Sequence, residues 1–463
     1  MISALAFDAD LLRRYDRPGP RYTSYPTAPQ FRADFGEHAL RRAIQDSNGD
    51  PIPRRLSIYI HVPFCLSPCF YCGCNRVITR DKTRAEAYLT HLCREIGMIA
   101  PLFDRDREVI QLHFGGGTPN FLTPTQLRCT VDVLKRHFRF SDAADRDISI
   151  ELDPRTVSPQ HVAELALAGF NRASLGVQDF DPAVQEAVNR IQGIEQTRAV
   201  VDACRIHGFR SVNIDLIYGL PKQTLAGFAR TLETVIAMRP DRLAVYSYAH
   251  LPDMFKAQRQ LDADALPDPE TKLALLQLAI ETLTAAGYVY IGMDHFALPN
   301  DELAHAQERG GLHRNFMGYT THADSDLIGL GVSSISHIGG SYSQNPRDLM
   351  SWQLALDEGR LPVFRGMVLS EDDQLRADLI QQLMCQGEIP ISALERRYGI
   401  DFADYFAEAL ERLRPLEADG LVQSGPKRIE ATARGRLLLR NIAMCFDHYL
   451  LPPNGTPRFS RAI

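Results

Sequence analysis

Between residues 57 and 248, six runs rich in β-branched and apolar residues alternate with helix-like stretches, and this alternation constrains the fold more than any other feature. The runs are SIYIHV (57–62), IQLHF (110–114), DISIEL (147–152), RASLGV (172–177), SVNIDLI (211–217) and RLAVYSY (242–248); a seventh, YVYIGMDH (288–295), follows. Near-continuous apolar strands suit a parallel sheet covered on both faces. The intervals between them carry helix signals. Thr123, Pro124 and Gln126 read as an N-cap, a first-turn proline and a capping box. Leu127, Val131, Leu134 and Phe138 then form one apolar stripe. Ser158-Pro159 opens the next helix and Gly169 closes it, while Leu273, Leu276, Ile280 and Leu283 make another stripe ending at Gly287. Repeated βα units with right-handed crossovers give a doubly wound sheet or a barrel. Six units are too few for a full eight-stranded barrel, so the expected class is α/β, a partial (β/α)6 barrel.

The flanks differ from this core. Residues 1–55 are rich in Arg, Pro and Tyr, with RPGPRYTSYPTAP at 17–29. Pro18, Pro20, Pro26 and Pro29 forbid a long helix there, and an extended N-terminal arm is expected. Residues 56–370 make the barrel with its extension. Residues 371–463 make a C-terminal helical domain, with helices near 371–385, 391–398 and 405–418, a hairpin at LVQSGPKRIEA (421–431) and a last helix near 433–450. That order is winged-helix-like. A structural cap is expected there, because fold does not fix function and the segment EALERLRPLEADG is a poor surface for phosphates.

The formal net charge of −6 does not suit a general nucleic-acid binder. No apolar run approaches the roughly 18–20 residues needed to span a bilayer. The first ten residues lack a basic segment followed by an apolar one, so the expected location is the cytoplasm, with no membrane partner. The nine cysteines are an odd count, which argues against a disulfide framework. Cys93, Cys129, Cys204, Cys385 and Cys445 stand alone in helix-like surroundings and read as buried small apolar residues.

The other four cysteines crowd into IHVPFCLSPCFYCGCN (60–75), directly after the first strand. Cys65, Cys69 and Cys72 follow a Cys-x3-Cys-x2-Cys spacing, with Cys74 two residues on. Three thiolates from one loop hold three irons of a [4Fe–4S] cluster and leave the fourth iron open. The amino and carboxylate groups of S-adenosylmethionine (SAM) fit that open position. A structural zinc site would usually need a second separated cysteine pair, and none is present. Ferredoxin loops use another spacing and four ligands. HFGGGTP (113–119) follows the second strand, and its glycines let backbone approach a ligand. Glu151, Gln178 and Asp215 stand at or in the next three strands. Polar residues there are poor core choices and together ring one mouth.

With Tyr71 before Cys72, the loop resembles the radical SAM superfamily. The longer strings PFCLSPCFYCGCNRVITR, RYTSYPTA, NIDLIYGLPKQT, LHRNFMGYTT and RNIAMCFD resemble the oxygen-independent coproporphyrinogen III oxidase family, from about Arg14 onward. The resemblance implies one [4Fe–4S] cluster, two SAM molecules, and decarboxylation of two propionates of coproporphyrinogen III to vinyls in haem synthesis. It implies Cys65, Cys69 and Cys72 as cluster ligands, with Cys74 outside the set. It implies Tyr59, Gly116, Glu151 and Ile335 as contacts to a first SAM. Contacts to a second would be Tyr71, Gly117, Thr118, Gln178, Arg190, Asp215 and Ala249. An electron donor such as flavodoxin or ferredoxin and a monomeric state are expected with it. Two other readings remain on this scaffold: a haem chaperone, which would lack the arm and the Cys-Gly-Cys string, and a metal-dependent winged-helix regulator. Arg21, Arg76 and Arg314 are candidates for holding substrate carboxylates.

Overall fold

The computed structural model describes residues 5–450 and Arg461. The chain divides into two compact units. The first comprises Phe31–Ala286 and Asp324–Val368; the second, in its described parts, Met1–Gln30, Gly287–Ala323 and Leu369–Ile463.

In the first unit, all six expected strands form and lie side by side in chain order. They are β1 (Arg55–Val62), β2 (Glu108–Gly116), β3 (Asp147–Leu152), β4 (Arg172–Gln178), β5 (Ser211–Tyr218) and β6 (Arg242–Ser247). Every neighbouring pair is parallel. The connecting helices are α1 (Thr83–Ile99), α2 (Pro124–His137), α3 (Pro159–Leu167), α4 (Ile194–Ile206), α5 (Leu225–Met238) and α6 (Pro269–Ala285), and each packs on the next. This is the partial (β/α)6 arrangement. Across β1 the sheet continues with parallel β7 (Ser325–Leu330), then antiparallel β8 (Ile335–Ile338), β9 (Ser341–Gln344) and β10 (Arg365–Val368).

The local signals hold at the helix starts. Thr123 accepts from the Gln126 N–H and completes a capping box, and Ser158 does the same with His161. Leu127, Val131 and Leu134 are buried as expected. In α6 the expected Leu273, Ile280 and Leu283 are buried, with Leu275 in place of the partly buried Leu276.

The strands themselves correct one expectation. They are apolar on one face only. Ile148, Ile150, Leu175, Ile214 and Leu216 are essentially inaccessible. Alternating with them, Ser149, Glu151, Ser174, Gly176, Asn213 and Asp215 are partly accessible on the other face. Side chains alternate across a strand, so DISIEL and SVNIDLI present one aliphatic and one polar face. The polar face is where a ligand fits.

The second unit holds most of the C-terminal region. Its helices Glu371–Gln386, Ile391–Tyr398 and Ala407–Ala418 match the expected ones closely. Strand Ile429–Ala431 pairs with both Val422–Ser424 and Glu388–Ile389, giving the small sheet of a winged-helix order. The last helix is much shorter than 433–450. It is a 3₁₀ turn, Gly435–Leu438, followed by Leu439–Met444. Beyond it Asp447 accepts from the Tyr449 N–H at 2.8 Å and the Tyr22 hydroxyl at 2.9 Å, which draws the backbone into a turn. The run at 288–295 is a hairpin, Val289–Gly292 with His295–Ala297, rather than another parallel strand.

The arm is only partly extended. A short helix, Ala9–Tyr15, precedes the prolines, Pro18, Pro20 and Pro26 lie in non-helical chain, Pro29 lies in a 3₁₀ turn, Ala28–Gln30, and Arg440 donates to the carbonyls of Pro20 (3.0 Å) and Gly19. Glu37–Asn48, however, is an amphipathic helix of the first unit, burying Leu40 and Ile44. No helix among the described residues is long and apolar enough to cross a membrane. All nine cysteines are free. Cys204, Cys385 and Cys445 are buried as expected, whereas Cys129 is exposed on α2 and Cys93 is half-buried on α1.

Candidate active site

The cysteine loop leaves the C-terminal end of β1, where barrel sites are built. Phe64–Cys65 makes a short parallel pair with Val77–Ile78, which closes the loop. Arg76 fastens its interior. Its guanidinium donates to the carbonyls of Cys72 at 2.9 Å and Cys69 at 3.2 Å. Arg76 is thus committed to the loop rather than free for a substrate carboxylate.

Each of the three thiols meets a donor. The Thr118 hydroxyl lies 3.3 Å from Cys65 Sγ, and the Cys74 N–H lies 3.4 Å from Cys72 Sγ. Arg190 Nη1 lies 3.5 Å and Arg155 Nη2 3.7 Å from Cys69 Sγ. Burial pushes the Cys65 thiol up to about 11. The hydrogen bond from the Cys74 thiol draws Cys72 down to about 6. Cys74 itself is held protonated by that bond.

This donor set fits a cluster. Among the described residues, no three His, Cys, Asp or Glu side chains close round a single ion. A cubane places its thiolates on separate irons, so its ligands need not converge on one point, and donors aimed at the sulfurs are what a thiolate-held cluster uses.

Beside the loop lies the polar face of the sheet. Tyr59 pairs in register with His113, and their rings stack at 5.9 Å. Glu151 accepts from the Gly116 N–H at 3.1 Å and sits 3.4 Å from His113 Nε2. Gly116 has φ +116°, and a Cβ there would meet the His61 ring at 2.8 Å. At Gly117 a Cβ would lie 2.7 Å from the Pro63 carbonyl. The glycine turn is therefore packed against the cysteine loop itself. Asp215 accepts from Ser174 (3.1 Å) and Asn213 (2.8 Å). Burial, reinforced by the Glu151 charge, raises it to about 6.

The remaining expected residues fall around the same face. Gln178 follows a bulge at the end of β4 with φ +71°, which re-aims its side chain. Arg190 is buried and also bonds Asp153 at 3.3 Å. Ala249 and Tyr71 share one partner: Gln258 Nε2 donates to their carbonyls at 3.2 and 3.0 Å. Ile335 backs onto Gly329, the register partner of Tyr59; a Cβ on Gly329 would lie 2.5 Å from the Ile335 carbonyl. Arg21 and Arg314 belong to the second unit. Arg21 pairs with Asp294 at 3.0 Å, and Arg314 donates to the Arg21 carbonyl.

Sequence reasoning missed His61, His113, Asp153, Arg155 and Gln258. His61 links the Tyr59 hydroxyl (3.1 Å) to the Asn75 carbonyl (2.9 Å). Asp153-Pro154-Arg155 follows β3 directly, so strand-end position was a usable signal for it. Nothing in the sequence around Gln258 marks it.

Comparison with known proteins agrees with this geometry. Residues 59–235 match the radical SAM superfamily and residues 369–438 match the HemN C-terminal domain. The chain is 52% identical over 463 residues to the oxygen-independent coproporphyrinogen III oxidase of Pseudomonas aeruginosa, covering all of both chains. It is 48% identical to that of Escherichia coli, again covering both fully. The solved structure of the Escherichia coli coproporphyrinogen III oxidase, described as a radical SAM enzyme, superimposes with a TM-score of 0.92 over 97% of this chain and 100% of that one. The chain belongs to the oxygen-independent coproporphyrinogen III oxidase family of radical SAM enzymes.

Proposed function

We propose that this enzyme oxidatively decarboxylates two propionates of coproporphyrinogen III to vinyls without oxygen, giving protoporphyrinogen IX in haem synthesis. The observation that carries this is the three-thiol loop beside a polar strand face, in a chain that matches named oxidases from end to end. Cys65, Cys69 and Cys72 hold one [4Fe–4S] cluster, which with SAM supplies a 5′-deoxyadenosyl radical when bound.

The protein's own part is positioning. Glu151, fixed by the Gly116 N–H, offers a carboxylate to an ammonium group. Tyr59, Gly116 and Ile335 complete contacts to a first SAM. Tyr71, Gly117, Thr118, Gln178, Arg190, Asp215 and Ala249 serve a second. Asp215 is an acceptor for ligand hydroxyls, and Gln258 fixes the two carbonyls of Tyr71 and Ala249. A hydrogen atom is taken from the propionate CH2 next to the pyrrole ring, where the electron-rich ring stabilises the radical left behind. One further electron then passes to an external one-electron acceptor and CO2 leaves, forming the vinyl. No side-chain base removes so unactivated a hydrogen as a proton at neutral pH. Small displacements of the reacting carbon therefore cost much rate.

The enzyme takes electrons from a flavodoxin- or ferredoxin-class donor, works as a cytoplasmic monomer, and uses neither nucleic acid nor membrane. Residues 1–55, 56–370 and 371–463 serve as arm, catalytic barrel and cap. Reconstituted enzyme with SAM, a reductant and coproporphyrinogen III should release CO2 and protoporphyrinogen IX under anaerobic conditions. Tight haem binding without decarboxylation would replace this function with that of a haem chaperone.

A further inference from the structure

The three thiols are not equally surrounded. Cys65 and Cys72 receive hydrogen bonds from neutral groups, from Thr118 and from Cys74. Cys69 receives two donors, both guanidiniums. Both guanidiniums lean on a single carboxylate. Arg155 grips Asp153 through Nη2 at 2.7 Å and Nε at 3.0 Å, and Arg190 reaches it at 3.3 Å. Two positive charges against one negative leave a net positive charge beside this sulfur. Side-chain exposure is 18% for Arg155, 10% for Asp153 and 7% for Arg190, so water screens that charge little. Burial works against ionisation of Asp153, yet its Arg155 and Arg190 partners hold its carboxyl below the ordinary range.

We infer that Arg155, held in place by Asp153, is a positioning residue that sets the reduction potential of the cluster through its hydrogen bond to Cys69. The inference rests on the cluster assignment made under the proposed function. Reduction brings one electron from the flavodoxin- or ferredoxin-class donor onto the cluster, taking it from the 2+ to the 1+ state, with no bond made or broken at Arg155. The added negative charge spreads onto the sulfurs. A donor and a positive charge at Cys69 stabilise the reduced state more than the oxidised one, and hydrogen bonds to cluster sulfur are a known lever on potential. Arg190 stands among the residues proposed to contact SAM, so its two roles are entangled. Arg155 separates them. Asp153 offsets part of the positive charge and so limits the effect.

The two residues therefore have opposite signs, which gives the test. Full-length enzyme is reconstituted anaerobically, and the midpoint potential is read by titration followed through the electron paramagnetic resonance of the reduced cluster. Arg155→Gln should disfavour reduction at least tenfold, about 59 mV lower for a one-electron couple. Asp153→Asn should shift the potential upward. Arg155→Lys should recover part of the loss by restoring charge. Iron content and melting temperature show that each variant is folded and loaded. Shifts of the same sign in both variants, or an unchanged potential in Arg155→Gln, would overturn the inference. So would a loss of SAM affinity in Arg155→Gln at constant potential, which would make Arg155 a ligand contact. The titration needs no porphyrinogen, so a failure of the decarboxylation assay leaves its result standing.

Discussion

Cys74 is the residue at which chemistry and proximity part company. It hydrogen-bonds Cys72 and sits in the same loop, yet three thiolates suffice when the fourth iron must stay open. Anaerobic reconstitution should load about four irons per chain. Cys65→Ser, Cys69→Ser and Cys72→Ser should each abolish loading, and Cys74→Ser should keep it. Loss in Cys74→Ser alone, with retention in the other three, would reject the ligand set. The ligands were legible in the sequence because a fixed spacing serves one chemistry. Their surroundings were not. The contact of Arg155 with Cys69 joins residues 86 positions apart, and only the fold brings them together. Asp215 gives a pH test at the same scale. Held at about 6 by burial and by Glu151, it ionises as pH rises through that value. SAM affinity, measured at equilibrium, should therefore increase between pH 5 and 7, and Asp215→Asn should flatten that rise and weaken binding. An unchanged profile in the variant would remove Asp215 from the ligand contacts.

Among the elements, the strands and helix starts were readable because period and capping are local. The polar face was present in DISIEL and SVNIDLI as alternation, masked by the dominance of aliphatic residues. The last helix misled because Arg440 and Asn441 tie its short turns to carbonyls of the arm, a tertiary effect that propensity does not contain. β7 was also unmarked; it is held by an interaction far away in sequence. Arg107 and Asp326, both 1% exposed, pair at 2.6 Å, and Arg107 also donates to Asn48 Oδ1 (3.0 Å) and the Arg54 carbonyl (2.8 Å). Arg107→Ala would leave the Asp326 charge buried and should cost roughly 3–5 kcal/mol in urea denaturation. Glu95 on α1 makes a second test. Burial pushes its carboxyl up to about 7, against hydrogen bonds from the Gly331 N–H, Asn345 and Trp352. Below about pH 4.5 both folded and unfolded chains are protonated at this group. From there to about 7 only the unfolded chain ionises, so this group's contribution to stability falls as pH rises. In Glu95→Gln that part of the pH dependence, read from urea midpoints at pH 5 and 7, should vanish.

For the whole molecule, the partial barrel and the winged-helix order follow from the alternation of signals along the chain, and the family from its strings and from comparison over full length. What the pattern along the chain does not carry is the grouping of distant segments. Residues up to Gln30 belong with the C-terminal region, while the helix Glu37–Asn48 belongs with the sheet. That division depends on buried partners, such as Tyr22 with Asp447, separated by most of the sequence. In the proposed reaction this scaffold directs hydrogen-atom abstraction at the propionate CH2 next to the pyrrole. The most direct measurement uses coproporphyrinogen III deuterated at that carbon, turned over anaerobically by the reconstituted enzyme. Deuterium should appear in 5′-deoxyadenosine, in step with CO2 and vinyl product. Cleavage of SAM with no deuterium transfer would contradict the account.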